Sequence, residues 1–479
     1  MVLSQQFSEG SAKRATKMIL QMLDYISEER LIQMFQLVKK ISNNPDVHDV
    51  MDALVRFFRS DHPSKMIFYR VLERIPKKNR FKIYNTLFNN AWFLGGTKRD
   101  QFEMLHGVRP PFMIILSPTF RCNLRCKGCY TIGYGYTPEL EYEVIKRLLK
   151  ECMEMGIYFV TVLGGEPLIY PHLFQMIEEH PEIFFQVYTN GTLLSQEAAE
   201  RFTELGNVLV VISIEGYEEE TDRWRGKGVY QKIMQAMENL NKAGMIFGTS
   251  ATVTRQNIYE VSSFEFVDFL IEKGSILQNY FLYVPVNGKA DFTLMVTPEQ
   301  RNHLRRQVIE IRNTRPIFVM DFWNDGPYVC GCIAGGRRYL HINANGDIEP
   351  CVYTHVASHN IKTHTLTEAL KSRLFQKIRE SQPHNPNHLR PCMIIDNPHV
   401  LRRIIHETNP YFTHPGAEEI YTKKAKEMDE YAARYAPIAD KVWAEEYLSD
   451  KKWSERIRTS EKRCFNRVLN ETGWKSAVQ

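Results

Sequence analysis

Three cysteines lie close together in the chain, at Cys122, Cys126 and Cys129, with the spacing C-x3-C-x2-C. Three thiolates on one loop can ligate three irons of a four-iron cluster and leave the fourth iron without a protein ligand. Such an iron is open to a small molecule, as is the free position of a catalytic metal site. A zinc site is the alternative, and it would require a fourth Cys or His nearby.

Polar, turn-forming residues follow three later apolar runs of the chain. These motifs are Gly164-Gly165-Glu166-Pro167, Thr189-Asn190-Gly191-Thr192 and Ser213-Ile214-Glu215-Gly216. The paired glycines allow a ligand to approach the backbone closely, and the Glu166 carboxylate can pair with an ammonium group. Ser213 and Glu215 are two residues apart, so both side chains would point to the same side of a strand.

The motifs stand at the ends of predicted β-strands that alternate with predicted helices. The predicted strands are Met113–Leu116, Tyr158–Leu163, Phe184–Tyr188, Val208–Ile214, Phe247–Val253 and Tyr280–Val284. The predicted helices between them include Glu139–Met155, Gln196–Leu205, Tyr230–Ala243 and Val261–Lys273. This alternation indicates an α/β fold with a parallel sheet, and six units favour a partial (β/α)6 TIM-like barrel. In such barrels the loops after the strands carry the chemistry.

The cysteine triplet and the strand-end motifs together resemble the radical S-adenosylmethionine (SAM) superfamily over residues 112–285. The resemblance implies that Cys122, Cys126 and Cys129 hold a [4Fe-4S] cluster whose open iron chelates SAM. It also implies that one electron from this cluster cleaves SAM to methionine and a 5′-deoxyadenosyl radical, which takes a hydrogen atom from the substrate. A one-electron donor such as ferredoxin or flavodoxin is the implied partner.

The resemblance also implies which residues contact SAM. On the methionyl side they are Gly164, Gly165 and Glu166, on the ribose side Ser213 and Glu215, and further candidates are Asn190 and residues 254–257. Many family members have an aromatic residue directly before the third cysteine, where this chain has Gly128. Tyr130, directly after that cysteine, is therefore the candidate for covering the adenine.

A second group of cysteines lies beyond the predicted barrel. Cys332 and Cys351 flank Gly346 in the pattern C-x13-G-x4-C. The residues between them predict a strand, Tyr339–Ile342, followed by a hairpin turn that brings the two thiols towards each other. This pattern resembles the start of the SPASM extension, which binds auxiliary iron–sulfur clusters in one branch of the radical SAM superfamily. The segment 222–228 also resembles a motif of that branch.

The full SPASM extension contains several more cysteines at close spacing than this chain provides. The resemblance therefore implies a shortened form with one auxiliary [4Fe-4S] cluster, held by Cys330, Cys332, Cys351 and Cys392. Four thiolates would close this cluster, which suits electron relay, and zinc on the same thiols is the alternative. Cys152 and Cys464 are interpreted as structural cysteines.

Four regions are predicted along the chain. They are a helical, basic N-terminal region at 1–107, the radical SAM core barrel at 108–290, the SPASM-like region at 291–405 and a charged helical tail at 406–479. Between residues 51 and 82, nine Lys and Arg residues stand against three acidic ones, among aromatic side chains. This face could lie on an anionic membrane, or it could pack on the barrel by its aromatic side.

Composition narrows the remaining possibilities. The net charge of +5 is too small to indicate nucleic-acid binding. The apolar runs are far shorter than the roughly 20 residues of a membrane span, and the N-terminus lacks a signal-peptide pattern, so a cytoplasmic protein is expected, with peripheral membrane contact left open. Nine cysteines in such a reducing compartment favour metal ligation over disulfides.

Three hypotheses for function remain. SPASM-bearing radical SAM enzymes often modify peptide or protein side chains, which is the first hypothesis. The second is modification or coupling of lipid or isoprenoid chains at a membrane surface, suggested by the basic aromatic region. The third is a non-catalytic iron–sulfur electron carrier or sensor, which would have no need of the strand-end motifs at 164–167 and 213–215.

Overall fold

The computed structural model describes residues 27–41, 45–131, 138–286 and 291–459. Helices precede the sheet in the chain. They are α1 (Glu28–Ile41), α2 (Pro45–Arg59), α3 (Ser64–Arg74), α4 (Lys77–Tyr84), the π-helix Asn85–Leu94 and α5 (Gly95–His106). The last of them ends at Gly107, which adopts the left-handed conformation (φ +70°) that favours glycine after a helix.

Three aromatic residues of the N-terminal region, Phe57, Phe58 and Phe68, pack on one another. Phe58 is buried with Leu31 and Ile32 in a small separate cluster, and the ring centroids of Phe58 and Phe68 are 5.2 Å apart. Arg70 is one of the residues that contact the barrel, because its guanidinium donates hydrogen bonds to backbone carbonyls of the loops at 271–275 and 316. These three rings therefore pack against neighbouring N-terminal helices, while basic side chains of the same segment contact the barrel.

The centre of the fold is a nine-stranded sheet. Its strands are β1 (Met113–Leu116), β2 (Phe159–Val162), β3 (Phe184–Thr189), β4 (Val208–Ser213), β5 (Phe247–Val253), β6 (Leu277–Leu282), β7 (Phe318–Asp321), β8 (Tyr339–Ile342) and β9 (Ile348–Glu349). The spatial order is β7-β6-β5-β4-β3-β2-β1-β8-β9, with β1 to β8 parallel and β9 antiparallel to β8. This confirms the predicted α/β partial barrel and extends its sheet by β7 at one edge and by β8 and β9 at the other.

Helices cover the outer face of this sheet. They are α6 (Tyr142–Glu154), α7 (Leu173–Glu179), α8 (Gln196–Leu205), α9 (Glu218–Arg225), α10 (Val229–Lys242), α11 (Ile258–Val261), α12 (Phe264–Glu272) and α13 (Pro298–Thr314). In α6 the buried residues Ile145, Leu148, Leu149 and Cys152 recur at the spacing of one helix face. Cys152 is fully buried there, which agrees with its interpretation as a structural cysteine.

Local sequence sets where these helices begin and end. Helix α8 begins after Ser195, whose hydroxyl accepts a hydrogen bond from the Ala198 amide at 3.1 Å, and ends at Gly206 in the left-handed conformation. Helix α13 begins after Thr297, which forms a reciprocal capping box with Gln300. These caps fix the length of the helix and therefore where the following strand enters the sheet.

The second cysteine region is attached to the barrel by β8, which pairs in parallel with β1. The predicted strand Tyr339–Ile342 and its hairpin are confirmed, since β9 pairs antiparallel with β8. The remaining elements are α14 (Gly326–Val329), β10 (Val356–Ala357), α15 (Leu366–Lys371), α16 (Arg373–Glu380), α17 (Pro398–Thr408), β11 (Tyr411–Phe412), α18 (Glu418–Tyr421), α19 (Ala425–Val442) and the π-helix Trp443–Leu448.

A buried polar chain joins the end of β1 to the β8–β9 hairpin. The Ser117 hydroxyl lies 2.8 Å from Nε2 of His341, and Nδ1 of the same ring lies 2.6 Å from the Glu349 carboxylate. Burial opposes the charge on Glu349, but hydrogen bonds from His341 and His355 outweigh it and lower its pKa to about 2. These hydrogen bonds therefore fix the position of the β8–β9 hairpin relative to the end of β1, where the loop of the first cysteine group begins.

Among the helices that the structure describes, none combines the length and the apolar composition needed to cross a bilayer.

Candidate active site

A cavity of about 290 Å3 lies at the carboxyl ends of the barrel strands. We call it the central cavity. One side is formed by the loop after β1 and by residues at the ends of β2 to β6, and the other by the second cysteine region. The cysteines that border it are Cys122, Cys126, Cys129, Cys332, Cys351 and Cys392. Both predicted cysteine groups therefore face one space, apart from Cys330.

The first cysteine group lies on the loop that follows β1. The Cys122 thiol accepts the Leu124 amide at 3.4 Å, and the Asn190 side-chain amide lies 3.9 Å from the same sulfur. Burial, reinforced by the neighbouring thiols, raises the pKa of Cys126 to about 12. Three cysteine sulfurs on one loop are the donors that an iron–sulfur cluster takes, so the three residues fit such a cluster.

The two glycines at the end of β2 serve the cysteine loop directly. The Gly165 amide donates to the Thr119 carbonyl at 2.8 Å, and a Cβ on Gly165 would collide with the Arg121 carbonyl. Gly164 has a φ of +133°, and a Cβ there would collide with the Thr119 carbonyl. A ligand was expected to approach these glycines closely, but in the structure the loop that bears the first cysteine group does so. Both glycines also border the central cavity.

Glu166 is fully buried and does not border the central cavity. Its carboxylate accepts hydrogen bonds from the Thr189 hydroxyl at 2.7 Å, the Asn190 amide at 2.8 Å and the Leu168 amide at 3.1 Å. Burial raises its pKa. Three protein donors thus satisfy the carboxylate that was expected to face the methionyl ammonium of SAM, and they tie the end of β2 to the end of β3.

Asn190 borders the central cavity from the end of β3. Its side-chain amide donates to the Asn123 side-chain oxygen at 2.9 Å, and its own oxygen accepts from the Thr192 amide at 2.9 Å. It therefore supports the cysteine loop as well as facing the cavity. The other expected contacts, at residues 254–257, cap a turn, where the Asn257 amide donates to the Glu215 carbonyl at 3.0 Å, and they do not border the cavity.

Arg225 is a site residue whose contacts the sequence did not predict. Its guanidinium pairs with both oxygens of Glu215 and lies 3.9 Å from the Cys126 sulfur. Burial opposes its charge, but Glu215 outweighs burial and raises the pKa of Arg225 above its usual value. Ser213 borders the central cavity together with Arg225, whereas Glu215 is buried behind them. The signal available in the sequence was the motif at 222–228.

Gly128 replaces the aromatic residue expected before the third cysteine because two other rings occupy that space. Gly128 has a φ of +71°, and a Cβ there would lie 2.7 Å from the Tyr283 ring and 3.0 Å from the Trp224 ring. These two rings meet edge to face, with centroids 6.1 Å apart, and both border the central cavity. Tyr130 lies on the opposite side, where its ring centroid is 6.3 Å from that of Tyr353.

The second cysteine group is assembled from three separate segments. The Tyr339 hydroxyl lies 3.0 Å from the Cys351 sulfur, and the Ile394 amide donates to the Cys392 sulfur at 3.3 Å. Burial raises the pKa of Cys351 to about 12 and raises that of Cys332 and Cys392. Cysteine sulfurs that border one space are the donors that an iron–sulfur cluster takes, so these residues fit an auxiliary cluster. Cys330 is buried and does not border the cavity, and Cys464 lies outside the described residues.

The segment 320–325 both borders the central cavity and forms a capped turn. Phe322 and Trp323 border the central cavity, while Asp321 accepts the Asn324 amide at 3.2 Å and so caps the turn that presents them. Further aromatic rings on this wall are Tyr188, Phe281 and Tyr353. These rings lie within buried strands and turns, and nothing in their spacing marked them in advance.

Comparison with protein-family models gives two matches. Residues 116–261 match the Radical SAM superfamily model, and residues 330–393 match SPASM, the iron–sulfur cluster-binding domain.

Two curated relatives illustrate the range of similar proteins. An AdoMet-dependent heme synthase of Methanosarcina barkeri is 25% identical over 311 residues, which cover 58% of this chain and 88% of the relative. A mycofactocin maturase MftC of Mycolicibacterium smegmatis is 28% identical over 304 residues, which cover 59% of this chain and 76% of the relative.

Among solved structures, Streptococcus suis SuiB has a similar fold. SuiB bound to its precursor peptide SuiA superposes with a TM-score of 0.52 at 19% identity, over 68% of this chain and 80% of SuiB. SuiB bound to S-adenosylmethionine gives a TM-score of 0.51 at 19% identity, over 70% of this chain and 81% of SuiB.

These matches coincide with the two cysteine groups of the central cavity. A radical SAM domain uses a [4Fe-4S] cluster together with SAM, and a SPASM domain holds auxiliary iron–sulfur clusters. The cysteines that border the cavity fit both, because thiolate sulfurs are the ligands that iron–sulfur clusters take and both groups place them at one space. The chain therefore contains a radical SAM domain followed by a SPASM auxiliary-cluster domain.

Proposed function

We propose that the chain is an enzyme that abstracts hydrogen from an apolar or aromatic side chain of a peptide bound in the central cavity. The observation that carries this proposal is that one cavity is bordered by both cysteine groups. A substrate placed there would lie between the SAM site and the auxiliary cluster. A pure electron carrier has no use for such a space, which distinguishes this proposal from a non-catalytic role.

The character of the cavity wall supports a neutral substrate group. Besides the cysteines, the described residues that border it include only one charged side chain, Arg225, and Glu215 already neutralises that charge. Burying an unpaired charge against such a wall would be costly. Aromatic rings and the neutral polar groups of Thr161, Gln186 and Tyr188 provide apolar contact with a few orienting hydrogen bonds.

The residues around the first cysteine group would hold and orient SAM. In this proposal Cys122, Cys126 and Cys129 ligate the cluster, Gly164 and Gly165 lie along the methionyl group, and Ser213 and Arg225 lie on the ribose side. Glu166 and Asn190 keep the loops in place. The aromatic pair Trp224 and Tyr283, and not Tyr130, would cover the adenine, because this pair fills the space beside Gly128.

When bound, the cluster and SAM supply the reductive cleavage that generates the hydrogen-abstracting species. The chain itself contributes orientation and the exclusion of water. The aromatic wall from Phe281, Phe322 and Trp323 separates the reacting carbon from solvent. Ferredoxin or flavodoxin as the electron donor stays a prediction.

Three observations favour a peptide substrate over a heme-like or lipid substrate. The similarity to mycofactocin maturase and the fold shared with SuiB, which was solved with a precursor peptide, support it. A heme-like substrate carries carboxylates, and the described cavity wall offers them no unpaired cation. The lipid hypothesis loses its motivation, because the aromatic residues that suggested a membrane-facing surface pack inside the N-terminal helices.

The test follows deuterium from substrate into 5′-deoxyadenosine. Anaerobically reconstituted protein is mixed with dithionite, SAM and a pool of short peptides whose Val, Leu, Phe and Tyr side chains are deuterated. A parallel sample contains vesicles with deuterated acyl chains. We expect deuterated 5′-deoxyadenosine from the peptide pool only. Deuterium from the vesicles alone would overturn the peptide proposal.

Two variants calibrate this assay. Cys126→Ala should release no 5′-deoxyadenosine, because it removes a proposed ligand of the first cluster. Cys152→Ala is the matched control, since Cys152 is buried in helix α6 and does not border the central cavity. If the wild-type protein releases no 5′-deoxyadenosine while its cluster is intact and reduced, the enzyme proposal is wrong and a carrier role is favoured.

A further inference from the structure

One long helical stretch of the N-terminal region carries exposed apolar side chains. Helix α4, the π-helix Asn85–Leu94 and helix α5 follow one another directly in the chain. Phe93, Thr97, Gln101 and Met104 recur there at intervals of three and four residues, so they lie on one face of the helix. We call the five exposed large apolar residues of this stretch the apolar stripe. They are Phe88 (49% exposed), Trp92 (65%), Phe93 (54%), Met104 (79%) and Leu105 (80%).

The opposite face of the same stretch is fixed to the barrel. The Asn90 side-chain amide donates to the Glu182 carbonyl at 2.9 Å, and the Arg99 guanidinium donates to the Gly156 carbonyl at 2.6 Å. A Cβ on Gly95 would lie 2.6 Å from the Gly156 carbonyl oxygen, so the helix backbone itself packs closely there. The apolar stripe is therefore the outer face of a firmly held element, and the described part of the chain leaves it uncovered.

The exposed residues of this stretch are uncharged. Between 85 and 107, a range that the structure describes in full, they include no Lys, Arg, Asp or Glu. Beside the stripe, Arg109 pairs with Asp100 and Glu103. Lys98 turns towards the barrel, where it donates to the Tyr158 hydroxyl at 2.7 Å. A helix that lies on an anionic membrane presents Lys or Arg along its polar face. This face is suited instead to another uncharged apolar surface.

The size of the apolar stripe approaches one side of a stable protein–protein interface. At about 200 Å2 for each side chain, the exposed fractions leave roughly 650 Å2 on the five residues. This is at the upper limit for the largest apolar patch on a typical monomer, about 300–600 Å2. Each partner of a standard interface contributes about 800 Å2. The exposed polar residues Thr97, Gln101 and His106 extend the same surface.

The order of residues makes the stripe complementary to itself. Its aromatic residues lie at one end, between 88 and 93, and Met104 and Leu105 lie at the other. Thr97 stands midway between the two ends. Two stripes packed antiparallel about a twofold axis near Thr97 would place the rings of each chain against Met104 and Leu105 of the other. Methionine sulfur makes favourable contacts with aromatic rings, so this pairing suits both ends.

We propose that the apolar stripe is the interface of a symmetric dimer, in which the stripe of one chain packs antiparallel on the stripe of a second copy. A twofold contact sets a surface against itself, so a charged stripe would repel its partner whereas this one does not. None of the five stripe residues borders the central cavity. The dimer is therefore independent of the proposed function.

Sedimentation equilibrium of the anaerobically reconstituted full-length protein tests the proposal. We expect the mass of two chains for the wild type and of one chain for Leu105→Glu, because this substitution would bury an unpaired carboxylate of each copy in the interface. Leu448→Glu is the matched control and should stay dimeric, since Leu448 is 51% exposed in the π-helix Trp443–Leu448, outside the stripe. A monomeric wild type, or a Leu105→Glu variant that stays dimeric, overturns the proposal.

Vesicle flotation separates a second copy from a membrane as the occupant of the stripe. The probe is a vesicle of phosphatidylglycerol and phosphatidylcholine. We expect the dimeric wild type to remain in solution. Flotation of the wild type that is lost in Leu105→Glu but kept in Leu448→Glu would assign the stripe to a membrane and overturn the dimer.

A pair of opposite charges tests the antiparallel arrangement. Phe93→Lys and Leu105→Glu should each give monomers, whereas an equal mixture of the two should recover a mixed dimer, because the new ammonium and carboxylate groups face each other across the interface. Both positions are exposed in the single chain, so both variants should fold, which circular dichroism checks. A mixture of folded variants that stays monomeric overturns the proposal. These measurements use neither SAM nor a substrate, so failure here is distinguishable from failure of the proposed function.

Discussion

The two cysteine groups of the central cavity are built in different ways. Cys122, Cys126 and Cys129 lie on one eight-residue loop, which the end of β2 supports through backbone contacts at Gly164 and Gly165. Cys332, Cys351 and Cys392 come from three segments that are brought together only by the tertiary fold. A local loop can be recognised from spacing alone, whereas a dispersed ligand set depends on the packing around it.

The two cysteine groups also differ in the charged residues that support them. Around the first group, Arg225 links the Cys126 sulfur to Glu215, next to the site itself. Around the second, Asp396 accepts the Cys392 amide at 3.0 Å and is held by Arg301 of helix α13. The second group therefore depends on an ion pair that spans two elements of the fold, and substitutions distant from the cavity should affect it most.

The largest contrast is expected between single cysteine variants of the two groups. Cys126→Ala should abolish SAM cleavage, while Cys392→Ala should still release 5′-deoxyadenosine with dithionite and SAM but convert no substrate. The reason is that only the first group is proposed to hold the cluster that contacts SAM. Chromatographic quantitation of 5′-deoxyadenosine checks this, and equal loss in both variants would mean that the two groups do not act separately.

Removing one partner of the buried pair should strongly destabilise the second region. Arg301→Ala leaves Asp396 charged and unpaired in a fully buried position, which costs about 3–5 kcal/mol. Urea unfolding measures the loss, and iron analysis should show that the auxiliary cluster is lost first. The double variant Arg301→Met, Asp396→Leu should recover much of the stability. A loss below about 1 kcal/mol in the single variant would show that this pair does not support the second group.

The second region should also lose stability as the pH falls. Burial lowers the pKa of His384 to about 4, while an unfolded histidine has a pKa of about 6.5. The unfolded state therefore takes up the proton first, and stability present above pH 6.5 is lost progressively towards pH 4, by up to about 3 kcal/mol. Urea unfolding between pH 4 and 7 measures this slope, and His384→Asn should flatten it. If the pH dependence of the free energy of unfolding is unchanged in the His384→Asn variant, His384 is not the group responsible for it.

A smaller effect is expected from the aromatic pair beside the first group. Tyr283→Leu should weaken SAM binding by roughly tenfold, since stacking of a base on an aromatic ring is worth about 1–3 kcal/mol. Tyr130→Leu is the matched control, because the Tyr130 ring lies towards Tyr353 on the other side of the cavity. Equilibrium dialysis with labelled SAM measures both. Weaker binding in the Tyr130 variant alone would restore the original expectation for the adenine contact.

The parts of the fold that were predictable from sequence are those set by local pattern. Strands β1 and β5 have the predicted bounds because each is a compact run of strand-forming residues. Strand β6 was predicted to begin at Tyr280 but begins at Leu277, because its polar residues have buried partners, such as the Tyr188 hydroxyl that accepts from the Asn279 amide at 2.6 Å. Such partners are distant in the chain and cannot be read from spacing.

The residues of the candidate active site also fall into those that local sequence indicates and those that only the tertiary fold brings together. The cysteines of the first loop and several strand-end residues were singled out by their spacing, because they form contiguous motifs, and they border the central cavity. The contacts of Arg225 and the aromatic pair Trp224 and Tyr283 were not, because they depend on the approach of α9 and the end of β6 to the cysteine loop. The roles proposed for Glu166, Asn190, Ser213 and Glu215 stay predictions.

We propose that two iron–sulfur clusters face the central cavity and that only the first contacts SAM. Mössbauer spectroscopy of the anaerobic, 57Fe-reconstituted protein can distinguish the two clusters and their response to SAM. We predict roughly eight irons per chain, of which SAM changes the signal of one iron in the first cluster. Four irons with one zinc, or a spectrum that does not respond to SAM, would contradict the account.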